Sequence, residues 1–357
     1  MTTTLNAPTG LTTQTPPTAP MTPDEIRARV ARLPRIPFAS VPTPLQEAPR
    51  LTEALGGPRI LIKREDLTGF AFGGNKVRAL EFRMADARAK GCDAFVVVNI
   101  GQSNHARLHS AACVRLGMHM VIVKPSPADE PVTGNLLLDR MLDAEIVEAH
   151  GREPNDVLDE TLARLRAGGR TPYASTREPF SPLSGTIAFT EASIELRDQL
   201  SAMGVDTHTQ RVHLFLVGGT SSAGFALGGK LLGAGWRVHA VSVGGNAASV
   251  TKMELDLAGR TAALLELPAS LEEGEFDVHD QYVGARYGDT PPTTLEAVKL
   301  AARTEALFCD PVYTGKALSG LMGEIRAGTI GKDDVAVFVH TGGLPIIFAY
   351  HEVLKDL

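Results

Sequence analysis

The 357-residue sequence has few cysteines, few aromatic residues and no excess of positive charge. Its three cysteines are an odd number and show neither CxxC nor CxxH spacing, which argues against a disulfide framework and a structural zinc site. The net charge is −6 and the basic residues are spread along the chain, so the electrostatic signature of a nucleic-acid-binding protein is missing. We therefore expect a small-molecule partner, no bound metal and a reducing, cytoplasmic setting.

Long apolar runs are also missing. No stretch approaches the roughly 18 apolar residues that a membrane span requires, because charges or glycines interrupt each hydrophobic run. The N-terminal segment lacks the basic and apolar regions of a secretory signal. We predict that residues 1–22, which are rich in Thr and Pro, form a disordered tail, and that the protein does not interact with membranes.

From Pro23 onward, short β-branched runs alternate with helical patterns. Strands separated by helices are typical of βαβ units, so the sequence predicts an α/β fold with mostly parallel sheets. The chain length favours two domains. Two polar zones interrupt the alternation: we predict that residues 169–185 cross between the domains and that residues 267–280 form a solvated loop.

Glycine-rich or hydroxyl-rich loops follow four of the predicted strands, and ligands of open α/β sheets bind at the carboxyl ends of strands. The loop 218–224 precedes a predicted helix, whose N-terminal N–H groups could bind a phosphate, although such a loop could equally be a tight turn. Neither GxxxxGK[ST] nor a GxGxxG in the first βα turn occurs, which disfavours the two usual nucleotide sites. A phosphate-binding loop without these nucleotide motifs favours a phosphorylated cofactor of another kind.

Lys76 follows Gly73-Gly74-Asn75 at the predicted start of a helix. The positive end of the helix dipole would lower the pKa of its amine, and an amine of lowered pKa is the kind that forms Schiff bases. Taken alone, a surface lysine is the commoner interpretation of such a position.

Five motifs in order resemble the family of D-cysteine desulfhydrases and 1-aminocyclopropane-1-carboxylate deaminases, which are pyridoxal-phosphate enzymes of the tryptophan-synthase-β-like fold (fold type II). The motifs are PTPL at 42–45, KREDLTG with GGNK at 63–76, QSNHAR at 102–107, DPVYTGKA at 310–317 and HTGG at 340–343. The resemblance implies pyridoxal 5'-phosphate as cofactor, a small amino acid as substrate and a homodimer. It also implies a larger domain of residues 23–78 plus 188–357 and a smaller domain of residues 79–187.

The resemblance further implies roles for individual residues. Lys76 matches the lysine that carries the cofactor and moves the substrate's Cα proton, and Thr341 matches a threonine that faces the pyridine nitrogen. The remaining matches fall into three groups: catalytic Ser103, Tyr287 and Tyr313; cofactor-binding Asn75, Asn104, Gly218, Gly219, Thr220, Ser221, Ser222 and Gly224; and substrate-binding Ser103, Asn104, His105 and Tyr313.

Two departures from the family pattern bear on the substrate. Thr314 stands where ring-opening deaminases have a glutamate, which favours β-elimination, with D-cysteine as the leading substrate. The segment 178–185 replaces a proline-then-GGS loop, and Phe180 with two prolines predicts a stiff apolar wall that would disfavour a sulfonate. Alternatives are a cysteate sulfo-lyase, the cyclopropane deaminase and, outside enzymes, a catalytically silent binding protein of the same fold.

Overall fold

The computed structural model describes residues 19–125 and 130–357. Most of the predicted tail, residues 1–18, therefore lies outside the described residues. The ten strands are β1 (Leu45–Glu47), β2 (Arg59–Lys63), β3 (Ala94–Val98), β4 (His119–Lys124), β5 (Glu145–Glu148), β6 (Pro172–Ala174), β7 (Val212–Val217), β8 (Trp236–Val241), β9 (Asp277–His279) and β10 (Val335–Val339).

Thirteen α-helices are assigned within the described ranges. They are α1 (Pro23–Val30), α2 (Pro49–Leu55), α3 (Lys76–Ala89), α4 (Asn104–Leu116), α5 (Gly134–Met141), α6 (Pro154–Ala167), α7 (Leu183–Ala202), α8 (Thr220–Leu232), α9 (Ala247–Leu265), α10 (Pro292–Glu305), α11 (Thr314–Arg326), α12 (Leu344–Ala349) and α13 (His351–Leu354).

The strands form two sheets. The larger has the order β1-β2-β10-β7-β8-β9 and is parallel except for β1, which pairs antiparallel with β2; the smaller has the order β5-β4-β3-β6 and is parallel throughout. Apolar clusters pack on both faces of each sheet, as the near-continuous apolar strands require. The predicted α/β fold is confirmed. The two predicted domain ranges follow the division into sheets, but their boundaries stay a prediction.

Both polar zones contain a short strand that the sequence did not reveal. β6 lies within 169–185 and β9 lies within 267–280. In the second zone Leu271 and Phe276 are buried in the core beside the larger sheet, so the prediction of a solvated loop was wrong for these residues. Three-residue strands carry too little periodicity to be predicted, because their pairing depends on neighbours that are distant in sequence.

Among residues 19–125 and 130–357, no helix combines the length and apolar content needed to span a bilayer.

Candidate active site

A cavity of about 290 Å³ lies where strand ends from the larger sheet face α3 and α4. Nine of the residues singled out in the sequence line it: Asn75, Lys76, Asn104, His105, Gly218, Thr220, Ser221, Tyr313 and Thr341. They come from five loops or helix starts spread over more than 260 positions of the chain, so only folding brings them together.

Two glycine loops hold Lys76 at the cavity. Gly342 has φ +102°, and a Cβ there would lie 2.7 Å from the Cα of Gly74, so the HTGG and GGNK loops approach too closely for a side chain. The N–H of Asn75 donates to the carbonyl of Thr341 at 3.0 Å. This contact fixes the start of α3 against the end of β10, with Lys76 and Thr341 on the same cavity.

Burial lowers the pKa of Lys76 from its usual value to about 8. The negative charge of Asp310 opposes this shift, and the positive charges of Arg107 and Arg83 add to it. The lowered pKa expected from the sequence is therefore found, but with a different main cause. Desolvation and nearby cations, rather than the helix dipole, disfavour the ammonium form. The amine lies 5.5 Å from the ring centroid of Tyr313.

The predicted phosphate loop divides into two parts. Gly218, Thr220 and Ser221 line the cavity at the start of α8, and the amide of Asn75 donates to the Ser221 hydroxyl at 2.8 Å. The first N–H groups of a helix have no partner inside the helix, so this end suits an anion.

The other part of the loop is engaged elsewhere. The N–H of Gly219 donates to the Ser222 hydroxyl and to Glu254, both at 2.8 Å, and Ser222 donates to the same carboxylate at 2.6 Å. Gly224 lies in the contact between α7 and α8, where a Cβ would come within 2.5 Å of Phe189. The structure therefore places Gly219, Ser222 and Gly224 in support of the loop rather than at the cavity surface.

Glu254 was not predicted from the sequence. It is fully buried on α9, and burial raises the pKa of its carboxyl to about 7. No motif pointed to this residue, because only the packing of α9 against the α8 start brings a carboxylate beneath the loop.

Ser103 and Asn104 begin α4. The Ser103 hydroxyl caps the helix by accepting from the N–H of Ala106 at 3.1 Å and donates to Asn99 at 3.0 Å. The side-chain oxygen of Asn104 accepts from the amide of Asn135 at 2.9 Å. Asn104 thus faces the cavity in a fixed orientation, whereas Ser103 is engaged in capping.

The tyrosines form a pair. The hydroxyls of Tyr287 and Tyr313 are joined by a short hydrogen bond, and burial raises the pKa of both phenols, so both are neutral. Tyr313 lines the cavity, whereas Tyr287 does not and is 40 % exposed.

Asp310 and Thr314 shape the turn that carries Tyr313. The carboxylate of Asp310 accepts from the N–H groups of Val312 and Tyr313 at 2.9 and 2.8 Å and from the Thr314 hydroxyl at 2.7 Å. Thr314 is buried and does not line the cavity. Thr314, which the family resemblance singled out as a departure, is thus part of the turn.

The segment 178–185 does not form the predicted apolar wall. Phe180 packs against the core beside the larger sheet and is not among the cavity residues. The segment reaches the cavity only through Gly185, because its chain turns into α7 there. The argument from Phe180 against a sulfonate substrate is therefore wrong.

The residues present fit pyridoxal phosphate: a buried amine of lowered pKa, helix N–H groups for a phosphate, and neutral hydroxyl and amide groups for the ring. The family described as "Pyridoxal-phosphate dependent enzyme" matches residues 36–342. The chain therefore belongs to the pyridoxal-phosphate dependent enzymes, and its cofactor is pyridoxal 5'-phosphate.

Two curated relatives cover nearly the whole chain. It is 34 % identical over 338 residues to a putative 1-aminocyclopropane-1-carboxylate deaminase of Pyrococcus abyssi, covering 93 % of this chain and 98 % of the relative. It is 33 % identical over 336 residues to a probable 1-aminocyclopropane-1-carboxylate deaminase of Cryptococcus neoformans, covering 90 % and 96 %.

Two solved structures have a fold similar to that of this chain. A structure described as a homologue of that deaminase superposes with TM-score 0.81 at 29 % identity, covering 93 % of this chain and 98 % of that one. The processed form of threonine deaminase isoform 2 from Solanum lycopersicum superposes with TM-score 0.62 at 16 % identity, covering 94 % and 87 %, which is a likeness of fold alone. The fold is fold type II of the pyridoxal-phosphate enzymes, as predicted.

Proposed function

We propose that this enzyme catalyses β-elimination on a small amino acid, with D-cysteine as the leading substrate and a 2-oxo acid, ammonia and hydrogen sulfide as products. The observation that carries the proposal is the lining of the cavity: within the described ranges it includes Lys76 and Tyr313 but no carboxylate. Thr314 stands where the family resemblance expects the glutamate of ring-opening deaminases. Its hydroxyl donates to the Asp310 carboxylate instead of facing the cavity.

Pyridoxal phosphate, when bound, withdraws electrons from the α-carbon of an amino acid. Lys76 would hold the cofactor covalently and, once its amine is released, would move the α-proton, since this amine is largely neutral above pH 8. Thr341, which lines the cavity, would present a neutral hydroxyl to the pyridine nitrogen and could not hold a proton there as a carboxylate would. Asn104 would orient the cofactor ring, and the neutral hydroxyl of Tyr313 would donate a proton to the leaving group.

The site assignment is tested by borohydride reduction of the holoenzyme followed by peptide mapping. We expect a pyridoxyl group on Lys76 and loss of turnover in Lys76→Ala, with Lys90→Ala, an exposed lysine at the end of the same helix, as the matched control. A pyridoxyl group on another lysine would refute the assignment.

The reaction is tested by comparing kcat/KM for both enantiomers of cysteine, for β-chloroalanine, for cysteate and for 1-aminocyclopropane-1-carboxylate. We expect D-cysteine or β-chloroalanine to lead. Preference for cysteate would select a sulfo-lyase, and preference for the cyclopropane acid would overturn β-elimination.

Ring opening of 1-aminocyclopropane-1-carboxylate is the second candidate, because both curated relatives carry that name, qualified as putative or probable. The absence of a glutamate at position 314, where Thr314 binds Asp310 and does not line the cavity, argues against ring opening. A higher kcat/KM for the cyclopropane acid than for D-cysteine is the result that would favour it.

A further inference from the structure

Arg83 is a buried cation at the cavity that the proposed reaction does not use. It lies on α3, two turns after Lys76, lines the cavity and is 6 % exposed. Among residues 19–125 and 130–357, no carboxylate forms a salt bridge with it. A guanidinium that is buried without a counter-charge is costly, which points to an anionic ligand.

Neutral groups hold the guanidinium in place. Its Nη2 donates to the carbonyl of Ser181 at 2.7 Å and to the hydroxyl of Ser184 at 2.9 Å, and its Nη1 donates to Nε2 of His109 at 3.1 Å. The Nδ1 of His109 donates to the carbonyl of His105 at 2.6 Å, so the imidazole accepts from Arg83 in its neutral form. The arginine is thus oriented but not neutralised.

The contacts of the guanidinium with the start of α7 place its charge on the same cavity as the predicted phosphate loop. Side chains on a helix tilt toward its N-terminus, and Ala79, one turn earlier, is small enough to leave the path open. Ser184 is followed by Gly185, where a Cβ would lie 2.3 Å from the Thr220 hydroxyl. Arg83 therefore binds Ser184, and the next residue, Gly185, packs against Thr220 in the loop that begins α8.

The unusual segment 178–185 acquires a role from these contacts. Its Ser181 carbonyl and Ser184 hydroxyl are two of the groups that hold Arg83, and the Ser181 hydroxyl is itself held by Ser175 at 2.8 Å. The segment and the arginine form one unit at the start of α7.

We infer that Arg83, positioned by Ser181 and Ser184, binds the phosphate of pyridoxal phosphate and supplies the positive charge that the α8 loop lacks. Among described residues the cations that line the cavity are Lys76 and Arg83, and Lys76 is assigned to the covalent link. Arg83 retains its charge at neutral pH even though burial lowers its pKa to about 10. The inference depends on the cofactor and not on the substrate, so its failure would leave β-elimination standing.

The test compares binding of pyridoxal phosphate with binding of pyridoxal, which lacks the phosphate, to cofactor-free protein. Arg83→Met should weaken pyridoxal phosphate binding about 10- to 100-fold, as expected for a charge-assisted hydrogen bond, and change pyridoxal binding by less than about threefold. Arg88→Met removes an exposed arginine from the same helix and should change neither. If Arg83→Met does not fold, Arg83→Gln keeps an amide donor for Ser181 and is measured in the same way.

A second readout does not depend on affinity. The ³¹P shift of bound cofactor should stay constant down to about pH 5.5 in the wild type, because the guanidinium favours the dianion, and should titrate near pH 6 in the variant.

Two results would overturn the inference. Equal loss of pyridoxal phosphate and pyridoxal affinity would assign Arg83 to the structure of the site. Unchanged cofactor binding together with a raised KM for cysteate, but not for D-cysteine, would assign it to an anion on the substrate.

Discussion

At the scale of single residues, Lys76 shows how surroundings change the chemistry of a side chain. An ordinary lysine is almost fully protonated at pH 7, whereas burial lowers the pKa of this amine to about 8. The neutral, nucleophilic fraction is thereby raised more than a hundredfold at neutral pH relative to a pKa near 10.5. The sequence indicated the residue, and the cavity supplies the cause.

This lowered pKa predicts a pH dependence. Because only the neutral amine reacts, the rate at which cofactor-free protein captures pyridoxal should rise about tenfold per pH unit below pH 8 and level off above it. An exposed lysine would continue to gain up to about pH 10. Stopped-flow absorbance between pH 6 and 10 measures the rate, and a continuing rise above pH 9 would show that the amine is not perturbed.

Thr341 gives a second prediction at the residue scale. Thr341→Ala removes one neutral hydrogen bond and should weaken cofactor binding by about 0.5–1.5 kcal/mol. Thr341→Asp should favour a protonated ring and allow racemisation or transamination to accompany elimination. Chiral chromatography of the products measures this, and identical product ratios in Thr341→Asp and the wild type would show that the residue does not tune the ring.

At the scale of elements, α7 and α8 are packed around a glycine. Gly224 lies at their contact, where an added Cβ would approach Phe189 Cβ to 2.5 Å and the carbonyl of Thr186 to 2.8 Å. The glycine lets the two helices meet closely, and this brings the first turns of both to the cavity.

Gly224→Ala should therefore destabilise the protein by about 1–3 kcal/mol through overpacking, without changing the preference for pyridoxal phosphate over pyridoxal. Gly259→Ala is the matched control on α9, since its Cβ would meet only Ser270 Oγ at 3.8 Å. That substitution should stabilise by up to about 1 kcal/mol through helix propensity. Urea denaturation measures the change in free energy of unfolding for both variants. A selective loss of pyridoxal phosphate affinity in Gly224→Ala, with pyridoxal affinity unchanged, would show that Gly224 contributes to phosphate binding.

At the scale of the whole molecule, a buried acid beneath the α8 loop links stability to pH. Burial raises the pKa of Glu254 to about 7 from 4.5, so the folded state holds this proton more tightly than the unfolded state does. Its contribution to stability is present in full below pH 4.5 and is lost as the pH rises through 7.

Glu254→Gln keeps an acceptor for Gly219 and Ser222 but cannot ionise. The difference in free energy of unfolding between variant and wild type should therefore shift in favour of the variant by at most roughly 3 kcal/mol between pH 4.5 and 8. Denaturation of cofactor-free protein at several pH values measures it. A difference that is independent of pH would mean that the pKa of Glu254 is the same in the folded and the unfolded state.

The homodimer implied by the family resemblance stays a prediction at this scale, as does a cytoplasmic location. Sedimentation of the holoenzyme would give the oligomeric state directly.

The sequence by itself determined the α/β class, because apolar strands alternate with helical patterns along the chain, and its motifs identified the cofactor through a family resemblance. The roles of the individual site residues stay predictions. Tertiary structure alone decided which of those residues face the cavity. It assigned Gly224 to helix packing, Phe180 to the core, and Arg83 and Glu254 to the neighbourhood of one loop. The physical reason is that burial, pKa and counter-charges depend on residues far apart in the chain, which no local pattern records.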